Sequence, residues 1–380
     1  MGWEKLINQN KIKEYFQRIL QEKSIANAYC FYGEEGVGKF AFAIEFIRTL
    51  SCSKPFWKDG FYSSCGTCSN CQNIANLKFM NIEYVFSLPA GKSGETESKG
   101  TLVSLTESQI QEINEKLKNK INNPYTKFAI EGATQIKISQ IRELRKTLAL
   151  SNSLPGRKFV VIFNAEEMRV EAQNAFLKTL EEPRKDVTFI LLTTHKEALL
   201  PTILSRCQML FFPPLPKEEI KQVLINEFGK NPEESEIIAQ FANGSMTRAL
   251  DLLDSDIKQI RDEMIDLLSI TLKKNFPGKE VTEKINKLVE KFDKKKSFIA
   301  LDLLEQWLRD ALLVSKNGPN DLIINSDTLT RLEKFKEKFG QKPIEKTIEV
   351  VEQSHYLVSA NVQIPNVFLK LFLELRDIFF

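Results

Sequence analysis

Apolar residues recur along this chain in two patterns. Short apolar-rich runs occupy Ala28–Tyr32, Phe159–Phe163, Val187–Thr194 (which ends in polar residues) and Gln208–Phe212, and Asn81–Leu88 is a further strand candidate. Five to eight such residues are too few for a helix and suit strands of a parallel sheet, buried on both faces. Between them, apolar residues return every three or four positions. Ile12, Phe16, Ile19 and Leu20 predict a helix over 11–22, and an apolar-rich helix runs from 39 to about 50. Leu105, Ile110, Ile113 and Leu117 predict a helix that ends before the turn Asn122-Asn123-Pro124. Ile138, Ile141, Leu144 and Leu148 give the stripe of another over 136–150. The chain after Phe163 reads as an amphipathic helix that stops at Pro183.

Alternating strands and helices predict an α/β domain, which Pro213, Pro214 and Pro216 bring to an end. Residues 217–226, 235–242 and 247–253 read as short helices. From 258 to 380 the pattern is helical, with segments around 258–275, 281–293, 297–315, 327–339 and 343–360. Pro277-Gly278 and Asn317-Gly-Pro319-Asn320 are breaks. The expected domains are 1–213, 214–257 and 258–380. Within the first, 89–132 reads as an insertion, opening with the polar loop Pro89–Gly100; the charges of the insertion read as a solvated face, the alternative being a DNA site.

Composition narrows the picture without deciding it. A chain of 380 residues with 53 Lys and Arg against 50 Asp and Glu carries a net charge of +3. Any nucleic-acid contact must therefore come from local patches. The amphipathic start lacks the apolar core of a signal peptide, and no run of about 18 apolar residues predicts a membrane span. Six cysteines, four of them clustered, point to a reduced, cytoplasmic protein with a metal site.

The first strand runs into Gly33-Glu-Glu-Gly36-Val-Gly38-Lys39-Phe40 and then a helix, the context of a phosphate-binding loop. The glycines free backbone N–H groups to face phosphates, and the helix N-terminus favours anions. The loop is complete except at its last position, where a magnesium-ligating Ser or Thr is replaced by Phe40. At the end of the 159–163 strand, where such nucleotidases place an Asp and a catalytic Glu, stand Phe163 and Asn164. Two readings stay open: a loop that holds nucleotide through Lys39 and the backbone, so that ATP and Mg2+ are doubtful, and a tight strand–helix turn that holds none.

Cys52 and the series Cys65-Gly-Thr-Cys68-Ser-Asn-Cys71 supply four thiolates, enough to close a tetrahedral structural zinc site over 52–71. The alternative is free thiols or a redox pair. Cys30 reads as a small buried residue, and His195 and His355 receive no role.

The phosphate loop, the four-cysteine module, Asn174–Pro183 (NAFLKTLEEP) and Ile203–Cys207 (ILSRC) together resemble the clamp loader of bacterial DNA polymerase III, over roughly residues 1–255. The resemblance implies an AAA+ P-loop domain, a small helical lid and an all-α collar that joins five subunits. Of the two kinds of subunit in that family, the chain looks like δ′, the non-hydrolysing stator. The motors' acidic pair falls on Phe163 and Asn164. Thr247 takes the place of the second sensor arginine, with Arg248 one residue late, and Thr194 stands as a sensor-like strand end. Ser205-Arg206-Cys207 survives, which implies that Arg206 acts in trans as an arginine finger. The local alternative pairs Arg206 with Glu181 or Glu182. Implied partners are the γ/τ motor and δ subunits, the sliding clamp and, through the complex, primer-template DNA, with no membrane. The alternative functions are an active ATPase using Glu166 or Glu167, and a helicase-like or repair AAA+ protein.

Overall fold

The computed structural model describes all residues except 1, 59, 90–104, 151–155, 183–185, 254–255, 291 and 320–321. The polar loop over 90–100 and the helix stop at Pro183 lie outside the described residues. The chain divides into two compact units, Met1–Leu250 and Asp251–Phe380.

The first unit is built on a parallel five-stranded sheet. Its strands are β1 (Ala28–Tyr32), β4 (Ile82–Val85), β5 (Lys158–Ile162), β6 (Val187–Thr193) and β7 (Gln208–Phe211), in the order β4-β5-β6-β1-β7. Ile162 lies beside Leu191, and Cys30 lies beside Leu191 on one side and Met209 on the other. The helices are α1 (Asn10–Glu22), α2 (Lys39–Ser51), α3 (Ser69–Ala75), α4 (Glu107–Asn122), α5 (Ile138–Leu150), α6 (Val170–Glu181) and α7 (Pro201–Leu204). Next come α8 (Lys217–Phe228), α9 (Pro232–Phe241) and α10 (Met246–Leu253).

Strand alternation explains why both sheet faces are covered. Ala28 and Cys30 of β1 pack with Val160, Ile162, Phe189 and Leu191 against Ile141, Leu144, Ala172 and Phe176 of α5 and α6. Tyr29 and Phe31 face the other way, into an aromatic cluster with Phe16 of α1 and Phe46 of α2. Trp3, fully buried, closes that cluster at 5.6 Å from Phe16 and donates from Nε1 to Thr49 Oγ1 at 3.0 Å.

Two local details depart from the sequence reading. The chain after β5 does not run straight into a helix. Asn164 takes a left-handed conformation (φ 44°), Ala165–Glu167 form one 3₁₀ turn, and α6 starts only at Val170. A two-stranded antiparallel hairpin, β2 (Phe56–Lys58) and β3 (Phe61–Ser63), precedes the last three cysteines of the cluster. Its three-residue strands are too short to produce a readable period.

The second unit holds α11 (Ile257–Thr271), α12 (Gly278–Val289), α13 (Lys294–Ser315), α14 (Leu329–Phe339), α15 (Glu345–Ser359) and α16 (Ile364–Phe379). Five match segments legible in the sequence. The sixth, α16, was not singled out, yet it buries Phe368, Leu371, Phe372 and Leu375 completely. Arg261, 2% exposed, is held by bidentate contact with Asp327 at 2.9 and 2.6 Å and by Asn325 at 3.2 Å.

Candidate functional site

Gly33–Lys39 link β1 to α2 as a phosphate loop would, and two glycines are required by geometry. Gly36 has φ 83°, and a Cβ there would come within 2.7 Å of the Thr247 backbone nitrogen. Gly38 has φ 101° and opens α2 in a left-handed conformation, with the Tyr125 ring 3.3 Å from where a Cβ would sit. Side chains strongly disfavour such backbone, so glycine is the fitting residue. Met246 N donates to Gly36 O at 3.1 Å, so the start of α10 rests on the loop.

A cavity of about 390 Å³ opens beside the loop, lined by Gly36, Gly38, Lys39, Phe40, Phe163, Asn164, Glu166, Glu167 and Thr194 among others. Lys39 does not extend into open space. Its ammonium donates to the carbonyls of Gly33 at 2.5 Å and Glu34 at 2.6 Å. Burial pulls its pKa down to about 8, against the opposing charges of Glu166, Glu35 and Glu34.

One wall of the cavity is aromatic. Phe40 and Phe163, 4% and 3% exposed, lie 5.0 Å apart between centroids. Phe128 stacks on Phe163 at 4.4 Å and 29°. Magnesium needs oxygen ligands in near-octahedral array, and the Phe40 and Phe163 side chains offer none.

The other carboxylates here are already engaged. Thr194 donates to Glu166 Oε1 from its backbone at 3.0 Å and from its hydroxyl at 2.6 Å. Burial raises the Glu166 pKa, but these hydrogen bonds outweigh it and hold the carboxyl below its ordinary range. Glu167 accepts from Ser87 Oγ and, at 3.0 Å, from Asn164 Nδ2. Thus Thr194, Glu166 and Glu167 are brought to the cavity, but Glu166 binds the sensor-like threonine.

The structure also brings in a segment that sequence reasoning set aside. The end of α4 and the turn after it place Lys120, Pro124, Lys127, Phe128 and Ala129 in the cavity wall. Much of α4 is a solvated face as expected, but Lys120 points inward. Its ammonium donates to Thr126 O at 2.5 Å and lies 5.5 Å from the Phe40 ring centroid. Tyr125, 6% exposed, accepts from Ile7 N at 3.0 Å, and its carbonyl accepts from Thr247 Oγ1. This strap touches the phosphate loop, the chain start, Phe163 and α10. The available signal was two aromatics, Tyr125 and Phe128, set in an otherwise polar turn.

Of the remaining sensor-like residues, Thr247 is buried against the strap, whereas Arg248 does not line the cavity. Arg206 does not line it either. It stands exposed after α7, donating to Thr202 O at 3.0 Å and pairing with Glu181 Oε1 at 3.1 Å. Within this chain the local pairing with Glu181 is thus present. The buried Gln173 fixes the approach to α7: it accepts from Leu200 N at 2.7 Å and donates to Ala198 O at 3.0 Å.

The four cysteines converge. The Sγ atoms of Cys52, Cys65, Cys68 and Cys71 all lie within 4.8 Å of one another, with Cys52 and Cys68 3.9 Å apart. Zinc–thiolate bonds of about 2.3 Å in a tetrahedron give edges of about 3.8 Å. Backbone N–H groups of Lys54 and Cys65 point at Cys52 Sγ, at 3.4 and 3.2 Å, and that of Cys68 points at Cys65 Sγ at 3.3 Å. Such bonds favour the thiolate forms that a metal needs. This donor set fits a four-coordinate metal ion.

The fold is that of an α/β P-loop domain, with a glycine loop between β1 and α2 and the rings of Phe40, Phe163 and Phe128 beside it. The family model described as DNA polymerase III, delta subunit, matches residues 8–216, more than half of the chain. The chain belongs to that family. It is 23% identical over 371 residues to DNA polymerase III subunit delta′ of Bacillus subtilis, covering 97% of this chain and 96% of that protein. It is 26% identical over 286 residues to subunit delta′ of Pseudomonas aeruginosa, covering 75% and 70%. Likeness to subunit tau of B. subtilis, 25% over 380 residues, covers 93% of this chain and 57% of tau. Among the described residues no helix is long and apolar enough to cross a membrane.

Proposed function

We propose that the chain is a δ′-type stator of the DNA polymerase III clamp loader, one that has given up magnesium-dependent ATP hydrolysis. The observation that carries this is the cluster of Phe40, Phe163 and Phe128 rings where, in this reading, the metal ligands of a motor subunit would stand. Transition-state charge on a γ-phosphate needs a metal and an oriented water. Phe40 and Phe163 supply no metal ligand, and the Asn164 amide cannot serve as a base.

In this reading 1–213 is a nucleotide-binding-like domain, 214–257 a lid and 258–380 a collar that joins γ/τ and δ subunits. The complex loads a ring clamp onto primed DNA. Arg206 exchanges its pairing with Glu181 for the γ-phosphate held by a neighbouring motor, where its planar, permanent charge suits transition-state stabilisation. The four-cysteine cluster holds structural zinc, since four protein ligands leave no open position for catalysis.

The test is ATP turnover by the purified chain, alone and mixed with γ/τ and δ subunits. No turnover alone, with assembly into a complex that loads clamps, is expected. Magnesium-dependent turnover by the chain alone, lost in Lys39→Ala, refutes the reading in favour of an active ATPase.

A further inference from the structure

A polar cluster in the second unit takes no part in the proposed function. His355 of α15, which the sequence left without a role, faces Asp302 and Glu305 of α13. Its Nε2 lies 3.3 Å from Asp302 Oδ1 and 3.8 Å from Glu305 Oε2. One ligand atom from each of the three residues lies within 4.8 Å of the other two. Zinc bonds of about 2.0–2.1 Å to nitrogen and oxygen in a tetrahedron give edges of about 3.3 Å. The His355–Asp302 edge already has that length, and the His355–Glu305 edge is slightly longer.

Helix periodicity builds the arrangement. Phe298, Asp302, Glu305 and Arg309 stand at i, i+4, i+7 and i+11, on one face of α13. The outer two orient what the inner two and the histidine offer. The Phe298 ring stacks on the imidazole at 5.7 Å and 14°, which fixes the plane of His355. Arg309 pairs with Glu305 through Oε1 at 2.5 Å, whereas Oε2 is the oxygen that faces His355. A metal-binding carboxylate is held in the same way, with an outer partner that orients it. The side chains of Asp302, Glu305 and His355 are 31%, 14% and 23% exposed, so an ion can enter and water can reach it.

We propose that Asp302, Glu305 and His355 bind a divalent transition-metal ion of the zinc class, which cross-links α13 to α15 and keeps water in its fourth position. Two carboxylates three residues apart on a helix repel each other. A dication between them and the imidazole removes that repulsion. The nitrogen ligand sets the class of ion, because magnesium and calcium take oxygen donors whereas imidazole suits zinc. All three ligands belong to one chain and one unit, so binding does not depend on which neighbours cover these helices. One imidazole and two carboxylates hold zinc less tightly than four thiolates, so this site fills after the cysteine cluster.

The probe is Zn2+, titrated by calorimetry into the full chain after dialysis to constant zinc content, with excess Mg2+ present. His355→Ala and Asp302→Asn are titrated beside it. Asn keeps the shape of Asp and loses its charge, and circular dichroism checks the fold of both variants. A saturable equivalent of zinc is expected in the parent chain, weakened at least about tenfold in each variant. That equivalent should also raise the melting temperature of the parent chain and not that of the variants. The four cysteines are intact in all three proteins, so the comparison reads only the triad. No such equivalent in the parent chain, as a plain ion pair would give, overturns the proposal. So does equal affinity in either folded variant, or displacement of the zinc by Mg2+. Binding is read on the isolated chain, so its failure leaves the stator reading untouched.

Discussion

Replacing Lys120 by Met probes the closed cavity through its electrostatics. The Lys120 ammonium is held by the Thr126 carbonyl at 2.5 Å, over the Phe40 ring. Burial, helped by the charge of Lys39 and opposed by that of Glu35, brings its pKa down to about 7 from the ordinary 10.5. Because the folded value is the lower one, the unfolded chain binds more protons between about pH 7 and pH 10. Stability therefore rises with pH across that window, and below about pH 7 the fold carries the full cost of a charged ammonium in the cavity. The difference in pKa sets an upper bound of about 5 kcal/mol at 1.36 kcal/mol per pKa unit. The side chain is only half-buried and the cavity admits water, so a cost of about 2 kcal/mol is the realistic expectation. Met keeps the methylene stem and cannot charge. Urea unfolding of Lys120→Met and the parent chain across this pH range measures the difference. The variant is expected to be more stable by about 2 kcal/mol near pH 6.5, with the advantage vanishing by about pH 10. Lys39, pulled down to about 8, contributes its own pH dependence to both proteins. A difference that does not change with pH, or a less stable variant at pH 6.5, refutes the reasoning.

Phe128→Ala removes the ring stacked on Phe163 and should cost about 3 kcal/mol in denaturant unfolding, towards the low end for a buried Phe because the cavity lies beside it; a loss below about 1 kcal/mol would mean that the strap is not packed. Metal analysis should find one zinc per chain, with Cys68→Ala or a chelator lowering the melting temperature; a folded, metal-free chain indifferent to Cys68→Ala contradicts the zinc assignment. Arg206→Ala loses only an exposed ion pair, about 0.5 kcal/mol or less, so folding and assembly should survive while the ATPase of the complex falls at one motor site. A wild-type rate of ATP hydrolysis and clamp loading in that complex removes the finger assignment.

Much of this protein is legible without coordinates. Apolar runs of about five residues specify buried parallel strands because both faces of such a strand are covered. The cysteine spacing foretells the four-cysteine cluster because short spacings confine four thiols to a small volume. That Phe40 and Phe163 offer no magnesium ligand is read directly from the residue types at those positions. Local period, however, reports only how each residue faces its own element. It did not reveal that the rings of Phe40 and Phe128 both pack on Phe163, because they come from α2, the end of β5 and a turn far from both. Nor did it reveal that Lys120 turns inward among solvated neighbours or that Thr194 caps Glu166. The strand order β4-β5-β6-β1-β7 and the buried position of α16 are likewise set by which surfaces remain to be covered once the other elements have packed. The sequence by itself determined which groups the degenerate site lacks. Tertiary packing decided what fills the gap, since only contacts between distant segments select the occupant of a shared space.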